Sequence, residues 1–280
     1  MVNTDKIFTL AINQYINQRM KGQMRHPAIE GATQFHNLMD LAQQIETVLD
    51  HTGNPMRTTE MRHFQNHAGM AQVDLPWIED SHKVQDELDM FRGKLATIQL
   101  VVKYRYHASW QGELIWKEKQ ETHVFRSFLE MTCILGRILQ GEEIWNPAER
   151  ACGTCKVAVD TYQDRCPEGC VMKLHQDSQA PFNSSVGLVC EIKKMLGSTD
   201  QAANLGMISN QAFRSYRRAG KKATFTVRIL FTDHGTWQGT ICWCEEKTRI
   251  SFRSFLEMLL LMNSVLESEN VEIIYEAVAQ

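Results

Sequence analysis

The sequence predicts an α+β protein built as a tandem duplication of a helix, an antiparallel β-meander and a second helix, with a zinc-knuckle-like insert between the two copies. The first observation is an internal repeat: residues 93–140 align with residues 220–267 without a gap, and 18 of the 48 aligned residues are identical. The second is a period-two alternation of apolar residues in each copy, which is typical of half-buried strands. The third is the run Phe-Arg-Ser-Phe-Leu-Glu-Met, present at 125–131 and again at 252–258.

The N-terminal segment, residues 1–34, is mostly polar. Ile7, Leu10, Ala11 and Ile12 recur at the spacing of one helix face. We therefore expect a long amphipathic helix here, which would cap a core or bind a partner.

The first half, residues 35–140, is expected to begin with a helix and to continue into the meander. Alternating apolar residues over 98–106 and 110–116 predict two strands joined by a polar turn, with a brief third strand after them. Ser127 and Glu130 form a capping box, in which the serine hydroxyl accepts a helical N–H and the glutamate reaches back to the serine N–H. The helix that follows has an apolar stripe and should lie on the sheet.

The second half, residues 182–280, repeats this order, with Ser254 and Glu257 as its capping box. Its tail at 271–275 reads Val-Glu-Ile-Ile-Tyr, which predicts an added edge strand. Two such similar halves are expected to pack about a pseudo-two-fold axis, as two identical chains would.

The insert, residues 141–181, contains two cysteine pairs at knuckle spacing: Cys152 with Cys155, and Cys166 with Cys170. Four thiolates can close a tetrahedral zinc site, so we predict a structural zinc bound by these residues. Such a site has no open position for water and would not be catalytic. The alternatives are two disulfides, unused thiols, or a redox role for the first pair.

Arg126 and Arg253 precede the two capped helices, where free N–H groups and the helix dipole favour an anion. His107 and His234 occupy equivalent turns beside Trp110 and Trp237. These six residues predict a site for an anionic nucleotide-type ligand between the repeats, with aromatic rings that stack on its base. The alternative is that each arginine pairs locally with Glu130 or Glu257.

The repeated run of Trp-Gln-Gly, then Trp, then Phe-Arg-Ser-x-Leu-Glu resembles a module of small uncharacterised proteins of bacteria, mostly anaerobic Gram-positive lineages, and of their phages and mobile elements. The resemblance covers both repeats and leaves out the cysteine insert. It implies a bacterial or phage origin and implies no activity.

The charge and hydropathy of the chain limit which partners and which compartment we expect. Thirty basic and thirty-three acidic residues give a formal charge of −3, which is unlike a typical nucleic-acid binder. The N-terminus lacks the pattern of a secretion signal, and no apolar run approaches the roughly 20 residues that cross a bilayer. We therefore expect a cytoplasmic protein that does not contact membranes.

Motifs for nucleotide phosphates, dinucleotides or a catalytic nucleophile do not occur, and we favour a non-enzymatic binding or regulatory protein that acts through a protein partner. The alternatives are a receptor or sequestering protein for the anionic ligand, and a nucleic-acid-associated factor. The last would use the cysteine knuckle together with the basic residues Arg214, Arg217, Arg218, Lys221 and Lys222.

Overall fold

The computed structural model of the chain describes residues 4–64, 73–78, 91–141, 152–173, 178–197 and 218–278. Within these residues it contains two six-stranded antiparallel sheets and four α-helices. The elements are, in chain order, β1 (Ile7–Ile16), β2 (Arg19–Arg25), β3 (Thr33–Phe35), α1 (Leu38–Thr52), β4 (Ala96–Tyr104), β5 (Gln111–Trp116), β6 (Glu121–Phe125), α2 (Phe128–Gln140), β7 (Gly153–Gln163), β8 (Cys166–Lys173), β9 (Gln179–Phe182), α3 (Ser185–Gly197), β10 (Ala223–Phe231), β11 (Gln238–Trp243), β12 (Thr248–Phe252) and α4 (Phe255–Val278). The predicted α+β class and two-unit repeat are confirmed.

The element order is one motif used four times, since three strands followed by a helix recur from β1 to α4. We call these units modules one to four. The strand order is β3-β2-β1-β4-β5-β6 in the first sheet and β12-β11-β10-β7-β8-β9 in the second. Modules one and two therefore share a sheet through antiparallel β1 and β4, and modules three and four do so through β7 and β10. Each half of the duplication is thus a pair of modules, over 7–140 and 153–278, so both halves begin earlier than the predicted 35 and 182.

Every module pairs a glycine of its second strand with a phenylalanine that ends its third strand. The four pairs are Gly22 with Phe35, Gly112 with Phe125, Gly169 with Phe182, and Gly239 with Phe252. A Cβ on any of these glycines would lie 1.8–2.2 Å from a carbonyl oxygen of the module's first strand. Only a residue without a side chain allows the backbones to approach this closely.

A polar capping residue stands two residues after that phenylalanine, and the helix of the module begins at the next residue. The capping residues are Asn37, Ser127, Ser184 and Ser254, and each side-chain oxygen accepts a backbone N–H from the first helical turn. This bond satisfies one of the N–H groups that have no partner inside the helix.

The helices lie between the two sheets. α1 contacts α3, and α2 contacts α4, while each helix also packs on its own sheet. All residues of α1 from 38 to 49 are buried, polar ones included, which requires neighbours on every side of the helix. One continuous hydrophobic core includes residues of all four modules.

The hairpin turns hold the modules together across the molecule. Between modules one and three, Asn37 Nδ2 donates to the carbonyl of Asp164 at 2.5 Å, and Arg19 Nε donates to the carbonyl of Asn183 at 2.7 Å. Arg165 adds a 3.2 Å ion pair to Asp40. The turn of each module therefore contacts the helix start of the other, and modules two and four repeat this arrangement.

The prediction of a helix over residues 1–34 is wrong, because β1, β2 and β3 occupy this segment. Phe8, Leu10 and Ile12 point toward the helices at a period of two and are fully buried. Thr9 and Ala11, between them, are also nearly buried. The sequence of β1 therefore lacks the clear alternation of apolar and polar residues that marks a half-buried strand. Asn17 and Gln18 form the turn of the hairpin with φ angles of 51° and 60°.

The segment predicted as an insert is the hairpin of module three, formed by β7 and β8. It is the counterpart of β1 and β2, which explains why a helix follows it in the same way. The predicted edge strand at 271–275 is also wrong, because α4 continues to Val278. Within the described residues, no helix is long and apolar enough to cross a membrane.

Candidate functional site: the junction of modules two and four

The two histidines predicted as a pair meet at the junction of modules two and four. His107 and Ala108 form the turn between β4 and β5, and His234 and Gly235 form the turn between β10 and β11, all with φ angles of 54–69°. Two consecutive residues of positive φ are what a tight two-residue hairpin turn requires. The imidazole rings stack with centroids 4.7 Å apart and planes inclined by 3°, and both residues are exposed.

Beneath the histidines the contacts are reciprocal. Ser127 Oγ donates to the carbonyl of Gly235 at 2.6 Å, and Ser254 Oγ donates to the carbonyl of Ala108 at 2.5 Å. Phe128 and Phe255, the first residues of the two helices, stack at 6.2 Å. Each contact has its counterpart in the other module, so a pseudo-two-fold axis passes between the histidines and between the phenylalanines.

Arg126 and Arg253 border this junction, and both pair locally as the alternative interpretation expected. The Arg126 N–H donates to Glu130 at 2.6 Å and its guanidinium ion-pairs with the same carboxylate at 3.2 Å. Arg253 repeats both contacts with Glu257, at 2.7 and 2.5 Å. Each carboxylate thus occupies the position at the helix N-terminus that an anionic ligand would need.

The predicted stacking residues Trp110 and Trp237 are fully buried. Their rings pack edge-on against Phe128 and Phe255, at 4.9 and 5.6 Å. Both tryptophans belong to the core and are not accessible to a ligand in this structure, which corrects the expectation that they stack on a base.

Trp110 also contributes to a buried charge cluster that the sequence analysis did not identify. Its indole N–H donates to Glu46 of α1, and Glu46 has no exposed surface. Arg105 donates to Glu46 at 2.5 Å and to Asp50 at 2.7 Å, and Arg57 lies 2.8 Å from Glu46. The cluster joins modules one and two, and its members are too far apart in sequence for spacing to reveal it.

A second missed feature is a rim of exposed apolar and aromatic side chains around the histidines. Tyr104 and Tyr106 stack on each other at 5.2 Å and are 51% and 43% exposed. Leu230 and Phe231 are 38% and 58% exposed. We call these four residues the junction rim. Tyr104 and Phe231 hold equivalent positions, each three residues before its histidine, so the Cα of each lies within about 11 Å of the Cα of that histidine.

The four cysteines predicted to bind zinc are not brought together. Cys155 faces the helices within the main core, whereas Cys170 packs with Ala158 and Met172 on the opposite face of the sheet. Cys166 pairs with Gln163 and Cys155 with Lys173, which separates these two cysteines by roughly 26 Å along the hairpin at the usual rise per residue.

A tetrahedral site needs every sulfur about 2.3 Å from the ion. A zinc ion bound by all four thiols would therefore require residues 152–173 to leave the two strands. Among the described residues, no three His, Cys, Asp or Glu side chains form a group that could hold a metal. Zinc binding by Cys152, Cys155, Cys166 and Cys170 stays a prediction, which metal analysis would test.

The basic run proposed for nucleic acid is partly described. Arg214 and Arg217 lie outside the described residues, and Arg218 forms a 2.6 Å ion pair with Asp160. Comparison with models of known protein families, with curated proteins and with solved structures finds no match to this chain. The argument for function therefore depends on the junction itself.

Proposed function

We propose that this chain is a non-enzymatic cytosolic binding protein whose junction rim docks a partner protein. The observation that carries the proposal is the exposure of three large aromatic side chains, those of Tyr104, Tyr106 and Phe231, within three residues of the two stacked histidines. Large side chains held rigidly at the surface are the usual energetic centres of protein interfaces.

The rim is supported by a rigid base, which favours binding without rearrangement. The turns beneath it are fixed by the hydrogen bonds of Ser127 and Ser254 and by the stacked phenylalanines. A surface that is already ordered loses little conformational entropy when a partner binds.

The charges beside the rim indicate the chemistry of the partner. Arg126 keeps 64% of its side chain exposed despite its ion pair, and its guanidinium lies beside Gly235, the residue after His234. We infer that the partner presents an apolar or aromatic anchor with carboxylates beside it, which would meet the guanidinium.

The experiment places a photo-crosslinking phenylalanine analogue at Phe231 of the full chain in cells. The matched control is the same analogue at Ile16, which is 63% exposed and lies beyond the pairing of Ile12 with Ala96, at the opposite end of β4 from Tyr104. We expect a discrete adduct with one protein at position 231 and none at position 16.

The crosslinked protein is then purified and titrated against the chain. Phe231→Ala and Tyr104→Ala should each weaken binding by about 30-fold, the loss of roughly 2 kcal/mol that marks an interface centre, whereas Ile16→Ala should leave it unchanged. The proposal would be contradicted by equal adducts at both positions. It would also be contradicted if the three variants bound the partner with the same affinity.

A further inference from the structure

Two thiols lie side by side at the end of β11. Cys242 and Cys244 are two residues apart, so both side chains project from the same face of the sheet. Trp243 between them is buried in the core, so the thiols face away from the helices. Both are partly exposed.

The neighbours of this pair are a hydroxyl, two cations and the carboxylate of Glu245, whose charge opposes ionisation of Cys244. Thr226 lies directly across from Cys242 on β10, and its Oγ1 is 3.4 Å from Cys244 Sγ. On the other side, Arg249 pairs with Cys242 and hydrogen-bonds to its thiol. The positive charge of Lys156, on the strand beyond Thr226, acts on Cys244.

The second module shows that the fold does not require this arrangement. At the equivalent positions it has Ile115 and Lys117 in place of the two thiols, and Thr122 in place of Arg249. The paired thiols and the neighbouring arginine are therefore a property of module four alone.

We propose that Cys242 and Cys244 form a thiol-modification site that reacts with low-molecular-weight disulfides, with Cys244 as the nucleophile. The Cys244 thiolate attacks one sulfur of the small disulfide, forms a mixed disulfide with that half, and releases the other half as a thiolate that takes up a proton from water. Cys242 is the positioning partner, because its thiol stays protonated and stabilises the negative charge on Cys244.

The electrostatics support these roles. The neighbouring Cys242 thiol lowers the pKa of Cys244 to about 7, with help from the Thr226 hydroxyl and the Lys156 charge, whereas burial and the Glu245 carboxylate oppose this shift. The pKa of Cys242 is raised by the same hydrogen bond and by burial. Burial raises the pKa of Cys133 and of Cys155 to about 12. Reaction with a disulfide requires the thiolate.

The test uses the full chain and an aromatic disulfide, 5,5′-dithiobis(2-nitrobenzoic acid), with digestion and mass spectrometry to locate the modified cysteines. Cys152 is the control for exposure, since it is exposed whereas Cys244 is half-buried. We expect Cys244 to be modified first at pH 7, with a rate that rises with pH around a midpoint of about 7. Modification of Cys152 before Cys244 would overturn the proposal.

Two variants test the role of Cys242. Cys242→Ala removes the donor, and Cys242→Ile installs the residue that module two tolerates at this position. In both, the midpoint for Cys244 should move toward the ordinary value of about 8.5. At pH 7 this leaves about 15-fold less thiolate, partly offset by about 5-fold higher nucleophilicity, so the rate should fall about 3-fold. An unchanged midpoint in either folded variant would show that Cys242 does not tune its neighbour.

Discussion

The reciprocal serines of the junction provide the sharpest test of the arrangement of modules. Ser254 is fully buried, and its hydroxyl both accepts the N–H of Glu257 at 3.0 Å and donates to the carbonyl of Ala108 at 2.5 Å. Ser254→Ala removes the helix cap, which costs about 1 kcal/mol. It also leaves a buried carbonyl without its partner, at a cost of about 1–3 kcal/mol. We therefore expect a loss of about 2–4 kcal/mol in the free energy of unfolding.

Ser127→Ala should cost the same, because Ser127 makes the two equivalent bonds with Glu130 and Gly235. Ser184→Ala is the matched control: among the described residues, its hydroxyl accepts the N–H of Gly187 and makes no such bond across the molecule. This control should lose only the cap, about 1 kcal/mol.

Urea unfolding of the three variants, followed by tryptophan fluorescence, measures these differences. If Ser127→Ala and Ser254→Ala lose no more stability than Ser184→Ala, the turns do not depend on the serines and the reasoning is refuted. A large difference between Ser127→Ala and Ser254→Ala would refute the pseudo-two-fold equivalence.

Three further predictions concern the buried charges and the hairpin of module three. Glu46→Gln should cost about 3–5 kcal/mol in urea unfolding, because it leaves Asp50 as the one counter-charge in the cluster for the guanidiniums of Arg105 and Arg57; a cost below 1 kcal/mol would contradict this. Burial lowers the pKa of His26, whose ring accepts the N–H of Ala28 at 3.1 Å. Since the folded pKa lies below the unfolded value of about 6.5, stability should be fully present above pH 6.5 and fall as the pH drops below it, by up to about 1.4 kcal/mol per pH unit. If a His26→Gln variant kept this dependence of stability on pH, groups other than His26 would be its cause. Finally, a metal chelator should leave the melting temperature unchanged if strand pairing alone holds β7 and β8; a marked drop would support zinc binding by the four cysteines.

The sequence was informative where two modules have kept the same residues. Modules two and four align without a gap, so their hairpins, their capping boxes and the pairing of His107 with His234 could be predicted. The spacing of four residues also predicted, as an alternative, that Arg126 pairs with Glu130 and Arg253 with Glu257. The structure contains both pairs.

Modules one and three were not predicted as modules, because they share with the other two only a glycine, a phenylalanine and a polar cap. Gly22, Phe35 and Asn37 mark module one, and these residue types are too common to stand out. In β1 both faces are buried, so the spacing of apolar residues resembles a helix. In β8 the module glycine, Gly169, lies between Cys166 and Cys170, where it resembled the glycine of a zinc knuckle.

The junction rim and the Glu46 cluster could not be predicted for a different reason. Glu46 and Trp110 are 64 residues apart and in different modules, and no periodicity connects them. The tail at 271–275 shows that a β-branched run does not decide its own structure, since α4 continues through it without a glycine or proline to end the helix.

Hydrogen exchange of the full chain in increasing denaturant tests the central claim most directly, namely that four modules share one core and form the junction only as a unit. The backbone N–H groups of α1, α2, α3 and the start of α4 should converge on a single free energy of opening, because each of these helices contributes to the same continuous core. Two separate values, one for residues 4–141 and another for residues 152–278, would show that the halves unfold independently and would contradict the account.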